Sequence, residues 1–453
     1  MKSIKVPSWV MLVFVCAHLL ALGWAFTKRT WNFPDSDRYF QAAENIRLHN
    51  EVYARPWLGK PVGQAVQEFT IRSAGYPVVL RLTAASSERI LSLLVVQNCF
   101  SLLIIWLILS GWACWARPAK NDWYWAVGGI LTFPAQFIYA NAVMSEILLQ
   151  AAVVSIVGST LCFIKAKKKP FFVGAVGALV LALLLKPVFY PLAAVTMGLG
   201  MIMAWRYRQL ALAFIASIPL VVVFAYMGWN WQRTGYFHFS SIAEINLLHY
   251  NAAGVVRQLE GASAEAQWVA SVLQDADNQA SFAARQHVIN VRAGAMILAH
   301  PFVYAQQHLQ GMAAFYLDPG RFDIAQFMDL RNTAEQGFLA QARAGTLPAA
   351  VMRLPLTLLG LLGAVLIANV MRLLLAIRGF ILLGKSSSVL RRGRWVALGI
   401  ILYVSLMTGP LGAARFLVPV WPLLMLFALF GLKQGALYPT KNFLLSPALP
   451  KPN

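Results

Sequence analysis

Charge is scarce in this chain. Only 12% of its 453 residues are Asp, Glu, Lys or Arg, about half the roughly 25% that a soluble domain carries. Apolar residues make up 59% and fall in long runs bounded by Lys and Arg, which excludes an ordinary soluble domain and places the chain in the membrane class. Cysteine is scarce too. Cys16, Cys99, Cys114 and Cys162 are the only four, all inside apolar runs and without CxxC spacing, so they read as small buried apolar residues, neither disulfides nor metal ligands. There is no Walker motif and no Gly-rich dinucleotide loop. His238, His249, His287, His300 and His308 share one segment, but no ligand spacing joins them, so they read as surface or interface histidines.

What is present is a series of spans. The expected architecture is all-α: a polytopic transmembrane helix bundle of about ten spans (roughly nine to twelve), with two external loops containing interfacial helices. The apolar runs are 8–26, 91–115, 123–143, 146–164, 171–186, 188–205, 210–230, 354–371, 395–409 and 416–432. Segments 1–7, 116–122, 165–170, 206–209, 372–394 and 433–453 then share one side, with 19 Lys and Arg against a single acid, Asp122. The other side holds 27–90, with nine basic and six acidic residues, and 232–352, with seven and nine. That is +18 against +1, so the positive-inside rule puts both termini in the cytoplasm of a bacterial inner membrane and both long loops outside. The net charge of +21 is therefore topological and needs no nucleic acid. Run 165–169 attracts anionic lipid. The first span, after Lys2 and Lys5, reads as an uncleaved anchor.

The chain thus divides into a first span (1–26), a first external loop (27–90), six spans (91–231), a second external loop or cap (232–352), three spans (353–432) and a cytoplasmic tail (433–453) with four prolines. In the first loop, Ser36 to about Leu48 reads as an amphipathic helix with Tyr39, Phe40, Ala43 and Ile46 on one stripe, apolar face down on the membrane interface. The second loop carries helical patterning over 264–273, 282–298 and 300–316, ended by Asp318-Pro319-Gly320. Many of the fifteen Trp and fourteen Tyr lie near span ends as an aromatic belt.

Four charges remain inside the membrane: Glu146, Lys186, Arg353 and Arg415. Arg353 flanks a span, where snorkelling explains it. Glu146, Lys186 and Arg415 sit at three turns that all face the external side. They are interfacial anchors or mutual partners on one reading. On the other, they form a pocket for an anionic head group, since Lys and Arg suit phosphate. Asp35-Ser36-Asp37 follows the first span. A helix cap is the simplest use for Asp35; a D-x-D pair can also hold a divalent cation. Under a cap and near Lys186 and Arg415, a partly desolvated Asp35 would have its pKa raised towards that of a useful base. Arg72 is a loop charge or a phosphate ligand.

In this order the pieces resemble the C-type glycosyltransferase superfamily, which uses polyprenyl-phosphate sugar donors, and within it the aminoarabinose transferase and protein mannosyltransferase group. The likeness rests on Asp35-Ser36-x-x-Tyr39-x-x-x-Ala43-x-Asn45, then Arg72-x-x-Gly75-Tyr76-Pro77, Pro134, Ser145-Glu146 and Lys186-Pro187. It continues through Arg233-x-Gly235, Ser240-Ser241 and His300-Pro301 to Arg415-Phe416-x-x-Pro419-x-x-Pro422. The resemblance implies an inverting transfer with Asp35 as base, Lys186 and Arg415 facing the donor phosphate and Glu146 as an acid at the same turn; the reading of the residues adds Asp37 as a supporting acid beside Glu146, and Arg72 as a third phosphate ligand. Tyr39, Tyr76 and His300, within these motifs, become candidates for the substrate pocket. The sequence departs from the family pattern at Phe416, where Tyr is frequent, and at Ala74, where proline is usual.

The expected function is transfer of a sugar from a polyprenyl-phosphate donor to a lipid, glycan or protein acceptor at the external face. Nucleotide sugars are cytoplasmic, so an external enzyme has reason to use a lipid-linked donor. No cofactor is required, a divalent metal on Asp35 and Asp37 being the one option, and the partners are membrane lipids without nucleic acid. The alternatives are a transporter or flippase for an anionic lipid, which would place its charges nearer the bilayer midplane, and a non-catalytic assembly partner.

Overall fold

The computed structural model describes residues 5–330, 351–352 and 354–433, and among these every regular element is helical. Arg353 and the proline-rich tail lie outside the described residues. In chain order the helices are α1 (Ser8–Lys28), α2 (Ser36–His49), α3 (Gly75–Leu82), α4 (Leu91–Ala116), α5 (Lys120–Leu131), α6 (Pro134–Ala140), α7 (Glu146–Ala166) and α8 (Lys169–Leu185). Then come α9 (Pro191–Tyr207), α10 (Leu210–Thr234), α11 (Ile242–Asn246), α12 (Ala253–Glu260), α13 (Ala262–Asp277), α14 (Phe282–Ala299), α15 (Pro301–Leu317) and α16 (Arg321–Phe327). The last four are α17 (Leu356–Gly384), α18 (Ser388–Thr408), α19 (Ala414–Leu417) and α20 (Trp421–Leu432).

The chain is a multi-spanning helical membrane protein. Among the described residues seven helices are long and apolar enough to cross a bilayer, Ser8–Lys28, Leu91–Ala116, Glu146–Ala166, Pro187–Tyr207, Leu210–Thr234, Leu356–Gly384 and Ser388–Leu411. The other three expected spans exist as shorter or broken helices. Lys169–Leu185 and Trp421–Leu432 are apolar but short, and 123–143 divides into α5 and α6. The α14–α15 pair would be an eighth crossing by composition, but it bends by 97° at the break, where Pro301 follows His300.

The break between α5 and α6 follows from Pro134, which lacks an N–H and disfavours helical backbone in the residue before it. Irregular backbone is tolerated among apolar helices only where neighbours satisfy its polar groups. Two side chains of α4 do this: Gln97 donates to the Ala142 carbonyl at 2.8 Å, and Asn98 to that of Ala140 at 3.1 Å. Gln150 of α7 exchanges hydrogen bonds with Gln136 and reaches the Val418 carbonyl at 2.6 Å. These ties fix the 140–145 segment, and with it the start of α7. Asp122, the one acid on the basic side, accepts from the Ala119 backbone N–H at 2.8 Å and so closes the first turn of α5.

Helices α17 and α20 pack closest at two glycines. A Cβ on Gly379 would sit 1.9 Å from the Phe427 carbonyl oxygen, and one on Gly431 2.0 Å from that of Leu375, the small-residue contact typical of membrane helix pairs. Two expectations are corrected here. Segment 372–394 is not a basic loop, because α17 runs on to Gly384 and the connection is only a few residues. Arg372 is buried inside it, donating to Asn369 at 2.5 Å, to the Gly129 carbonyl at 3.0 Å and to Thr132 at 3.2 Å; it caps the broken end of α5. The cysteines are not buried either. Cys16 and Cys99 are exposed and Cys114 and Cys162 half-buried, since a bundle in lipid turns apolar side chains outward as readily as inward.

Candidate active site

The first loop begins where α1 ends, at Arg29 in left-handed conformation. Seven residues later α2 starts. Asp35 stands at its N-cap position, but its side chain caps nothing, which overturns the cap reading. Ser36 holds the turn instead, accepting from the Phe33 N–H at 2.8 Å and donating to the Val143 carbonyl at 3.0 Å. The Asp35 carboxylate is left for two guanidiniums. One oxygen accepts from Arg72, and the other from Arg415 at 2.9 Å.

Arg415 comes from the far end of the chain. Its Nε lies 3.5 Å from the carboxylate of Glu146, which also accepts from Lys186 at 2.7 Å. Five side chains therefore form one continuous ionic chain, Arg72–Asp35–Arg415–Glu146–Lys186, drawn from five separate stretches of sequence. Each is placed by a local backbone reason. Glu146 is fully buried at the first turn of α7, where the helix dipole favours an acid. Lys186 is extended, φ −148° and ψ 126°, because Pro187 follows it; the chain turns there and the ammonium swings back to Glu146. Arg72 is held by the approach of its loop to α8: a Cβ on Gly75 would lie 2.6 Å from the Leu184 carbonyl oxygen, so only glycine lets α3 begin that close. Arg415 sits on α19, whose Ala414 N–H donates to Asp318 at 2.9 Å. The Phe416 ring stacks beneath both cations, 5.4 Å from the Lys186 nitrogen and 5.1 Å from the Arg415 guanidinium carbon.

The expected rise in the Asp35 pKa is not what the structure gives. Burial pushes the carboxyl up, but the charges of Arg415 and Arg72, with Lys186 behind them, together outweigh it and hold the group below the ordinary aspartate value. In this state Asp35 is a clamped carboxylate and a weak base.

Of the remaining candidates, Tyr39 lies next to the chain of charges, with the Arg72 guanidinium 5.5 Å above its ring. Burial pushes its hydroxyl up to about 12, so it stays protonated near neutrality and is no base. This helix stripe packs into protein: Tyr39 and Ala43 are buried, and Tyr39 meets Tyr76 edge-on at 4.7 Å. Tyr76 is a core residue, fully buried and donating to Gln97 at 2.8 Å. Asp37 is exposed and accepts from Asn32; none of the ion pairs of the cluster includes it. His300 marks the crease between α14 and α15 and takes no part in the cluster. Among the described residues no group of three His, Cys, Asp or Glu could hold a metal ion, and Asp35 and Asp37 face different partners.

One acid at this site carries no signal in the sequence. Asp323, on α16, accepts from the Tyr139 hydroxyl at 2.9 Å, and burial pushes its carboxyl up to about 7 despite the pull of Arg415. Helix α16 is tied across the site to the start of the chain, by Trp24 donating to the Phe327 carbonyl at 2.8 Å and Gln326 to that of Asn32 at 3.0 Å.

No protein-family profile and no curated protein matches the sequence. Among solved structures, ArnT from Cupriavidus metallidurans in the apo state is similar at 15% identity, over 93% of this chain and 77% of that one, with a TM-score of 0.36. A likeness at that level carries no functional assignment.

Proposed function

We propose that the chain is a membrane glycosyltransferase that moves a sugar, with inversion, from a polyprenyl-phosphate donor to an acceptor hydroxyl at the external face. The observation that carries this reading is the charge of the cluster. Three cations, Arg72, Arg415 and Lys186, are linked to two carboxylates, Asp35 and Glu146, which leaves one positive charge in excess. A lipid-phosphate sugar is a phosphodiester with one negative charge, and it gains a second as the glycosidic bond breaks. With Asp323 protonated below about pH 7, a site with one spare cation neutralises the donor; three cations favour the departing phosphate more than the donor, which is the condition for catalysis. Each guanidinium carries five N–H donors; Arg72 is tied to Asp35, and Arg415 to Asp35 and Glu146, so both keep N–H groups for phosphate oxygens.

The same geometry gives Asp35 a way to become a base. A phosphate that draws Arg72 and Arg415 towards itself weakens their hold on the carboxylate, and burial then raises its pKa. The acceptor hydroxyl gives its proton to Asp35 while its oxygen bonds to the anomeric carbon. The bond from that carbon to the phosphate oxygen breaks, and the electron pair leaves with the phosphate. Its polyprenyl tail remains in lipid throughout. The excess of basic residues on the opposite side supports an external site. Replacing Asp35→Asn tests the assignment in nanodisc-embedded protein: transfer from a lipid-linked sugar falls by about 10²–10⁴-fold for loss of a general base, and unchanged turnover rules Asp35 out.

A further inference from the structure

A cavity of about 200 Å³ opens where the two long loops meet, between the 63–69 turn and the helices α11, α13 and α14. One edge is polar and belongs to Gln67, Glu244, Arg285 and Gln286; Leu248 and Ile289 supply an aliphatic wall. Two of its acceptors are unsatisfied. Glu244 is 7% exposed and Gln286 1% exposed; among the described residues neither Glu244 Oε2 nor Gln286 Oε1 makes a well-formed hydrogen bond, the Glu244 carboxyl having loose contacts with Asn290 and its own backbone. The other Glu244 oxygen accepts from Tyr236 at 3.3 Å. Leaving a buried acceptor unmade costs about 1–3 kcal/mol; both oxygens lie just beneath the cavity wall, and the soft terminal torsion of Glu and Gln lets either turn to a molecule that brings donors.

The donors beside them are already directed. Arg285 donates to Asp277 at 2.8 Å and to Gln67 at 3.2 Å, which orients the Gln67 amide and keeps the guanidinium fixed at the cavity edge. A carboxylate, two amides and a guanidinium facing an aliphatic wall match one ligand chemistry well: a pyranose, with hydroxyls around its rim and an apolar face. The room is that of about six or seven waters at roughly 30 Å³ each, enough for one ring.

We propose that this cavity is a sugar-binding subsite for a glycan acceptor. Its role as acceptor subsite rests on the glycosyl-transfer reading above. Gln67 is five residues before Arg72 on the same loop, and at no more than about 3.5 Å per residue the two lie within roughly 18 Å. A ring held here would therefore be a distal sugar of a short glycan whose end reaches Asp35. Further ties join this loop to the cap, His238 to Thr70 at 2.9 Å and Ser240 to the Thr70 carbonyl at 2.6 Å, so a ligand at the seam is held in fixed relation to Arg72.

The test is saturation-transfer NMR on the full chain in nanodiscs, with methyl glucoside, N-acetylglucosamine and ethanolamine as probes. The wild type and Asp35→Asn should both bind at least one sugar, and ethanolamine should give no signal. Gln286→Leu removes one orphan acceptor with little change of volume. It should bind sugar at least tenfold more weakly while melting at or above the wild-type temperature, a combination that a purely structural role does not produce. Glu244→Gln should also weaken binding. No sugar signal from the wild type, a signal from ethanolamine alone, or Gln286→Leu binding as well as wild type would each overturn the proposal. Sugar binding by a chain that transfers no sugar would leave a binding site and remove its acceptor role.

Discussion

Arg415→Ala is the most informative single change, because it acts on stability, rate and pH dependence in three separable ways. Arg415 is the joint of the ionic chain, 2.9 Å from Asp35 and 3.5 Å from Glu146. Removing one member of a buried ion pair costs about 3–5 kcal/mol when the partner is left alone. Here Asp35 keeps Arg72, Glu146 keeps Lys186, and the Arg415 side chain is 26% exposed, so the cost falls below that range, at about 2 kcal/mol. The catalytic effect is larger. Loss of one pre-placed charge that faces a developing anion costs about 10²–10³-fold in kcat. The pH dependence follows from the Asp35 carboxyl. Burial is the largest influence on it and pushes it up, while Arg415 is the strongest of the charges that hold it down. Without Arg415 the base titrates at higher pH, so the acidic limb of the pH–rate profile for residual activity moves upward. The assay is transfer from a lipid-linked sugar in nanodiscs between about pH 4 and 9, beside a thermal melt in the same lipid. A variant that is destabilised but turns over within threefold of wild type, with an unmoved acidic limb, would refute the reasoning.

Asp323→Asn should change how stability depends on pH, since burial places this carboxyl near pH 7. Because its folded pKa lies above the ordinary value of 3.8, the wild type loses stability relative to Asp323→Asn as pH rises from about 4 to about 7, with a constant difference above that; melting curves that run parallel across this window contradict the burial argument. Gly379→Ala should lower the melting temperature, at a cost of about 1–3 kcal/mol for overpacking, and leave the KM for donor unchanged. Asp37→Asn should transfer sugar within twofold of wild type, since its partner is Asn32 alone among the hydrogen bonds seen; a loss like that of Asp35→Asn would return it to the site.

The helices were largely legible from hydropathy, and so was the gathering of Asp35, Glu146, Lys186 and Arg415 at one end of the bundle, because alternating spans bring alternate turns to the same side. What escaped depended on local contacts. Spacing alone offers the Asp35 side chain as a cap, and its placement offers it as a base with a raised pKa; only the fold reveals that the arginines at 72 and 415 both hold it. The same pairing reversed the direction of its pKa. Asp37 differs from Asp35 by two positions, about 200° around α2, and so points elsewhere. Asp323 follows a turn in an ordinary loop sequence, and nothing there shows that α16 folds back against Tyr139. Arg372 is hidden in a basic stretch, though the apolar residues of 373–383, interrupted only by Arg378 and Gly379, are a signal that the helix continues.

The central claim is that the cluster recognises a lipid phosphate, and equilibrium binding tests it most directly. Titrating polyprenyl phosphate and the uncharged polyprenol into the nanodisc protein, with melting temperature as readout, should give a concentration-dependent stabilisation by the phosphate alone. Lys186→Ala and Arg415→Ala should abolish most of it. Equal stabilisation by phosphate and alcohol, or a phosphate effect that survives both substitutions, would contradict the account.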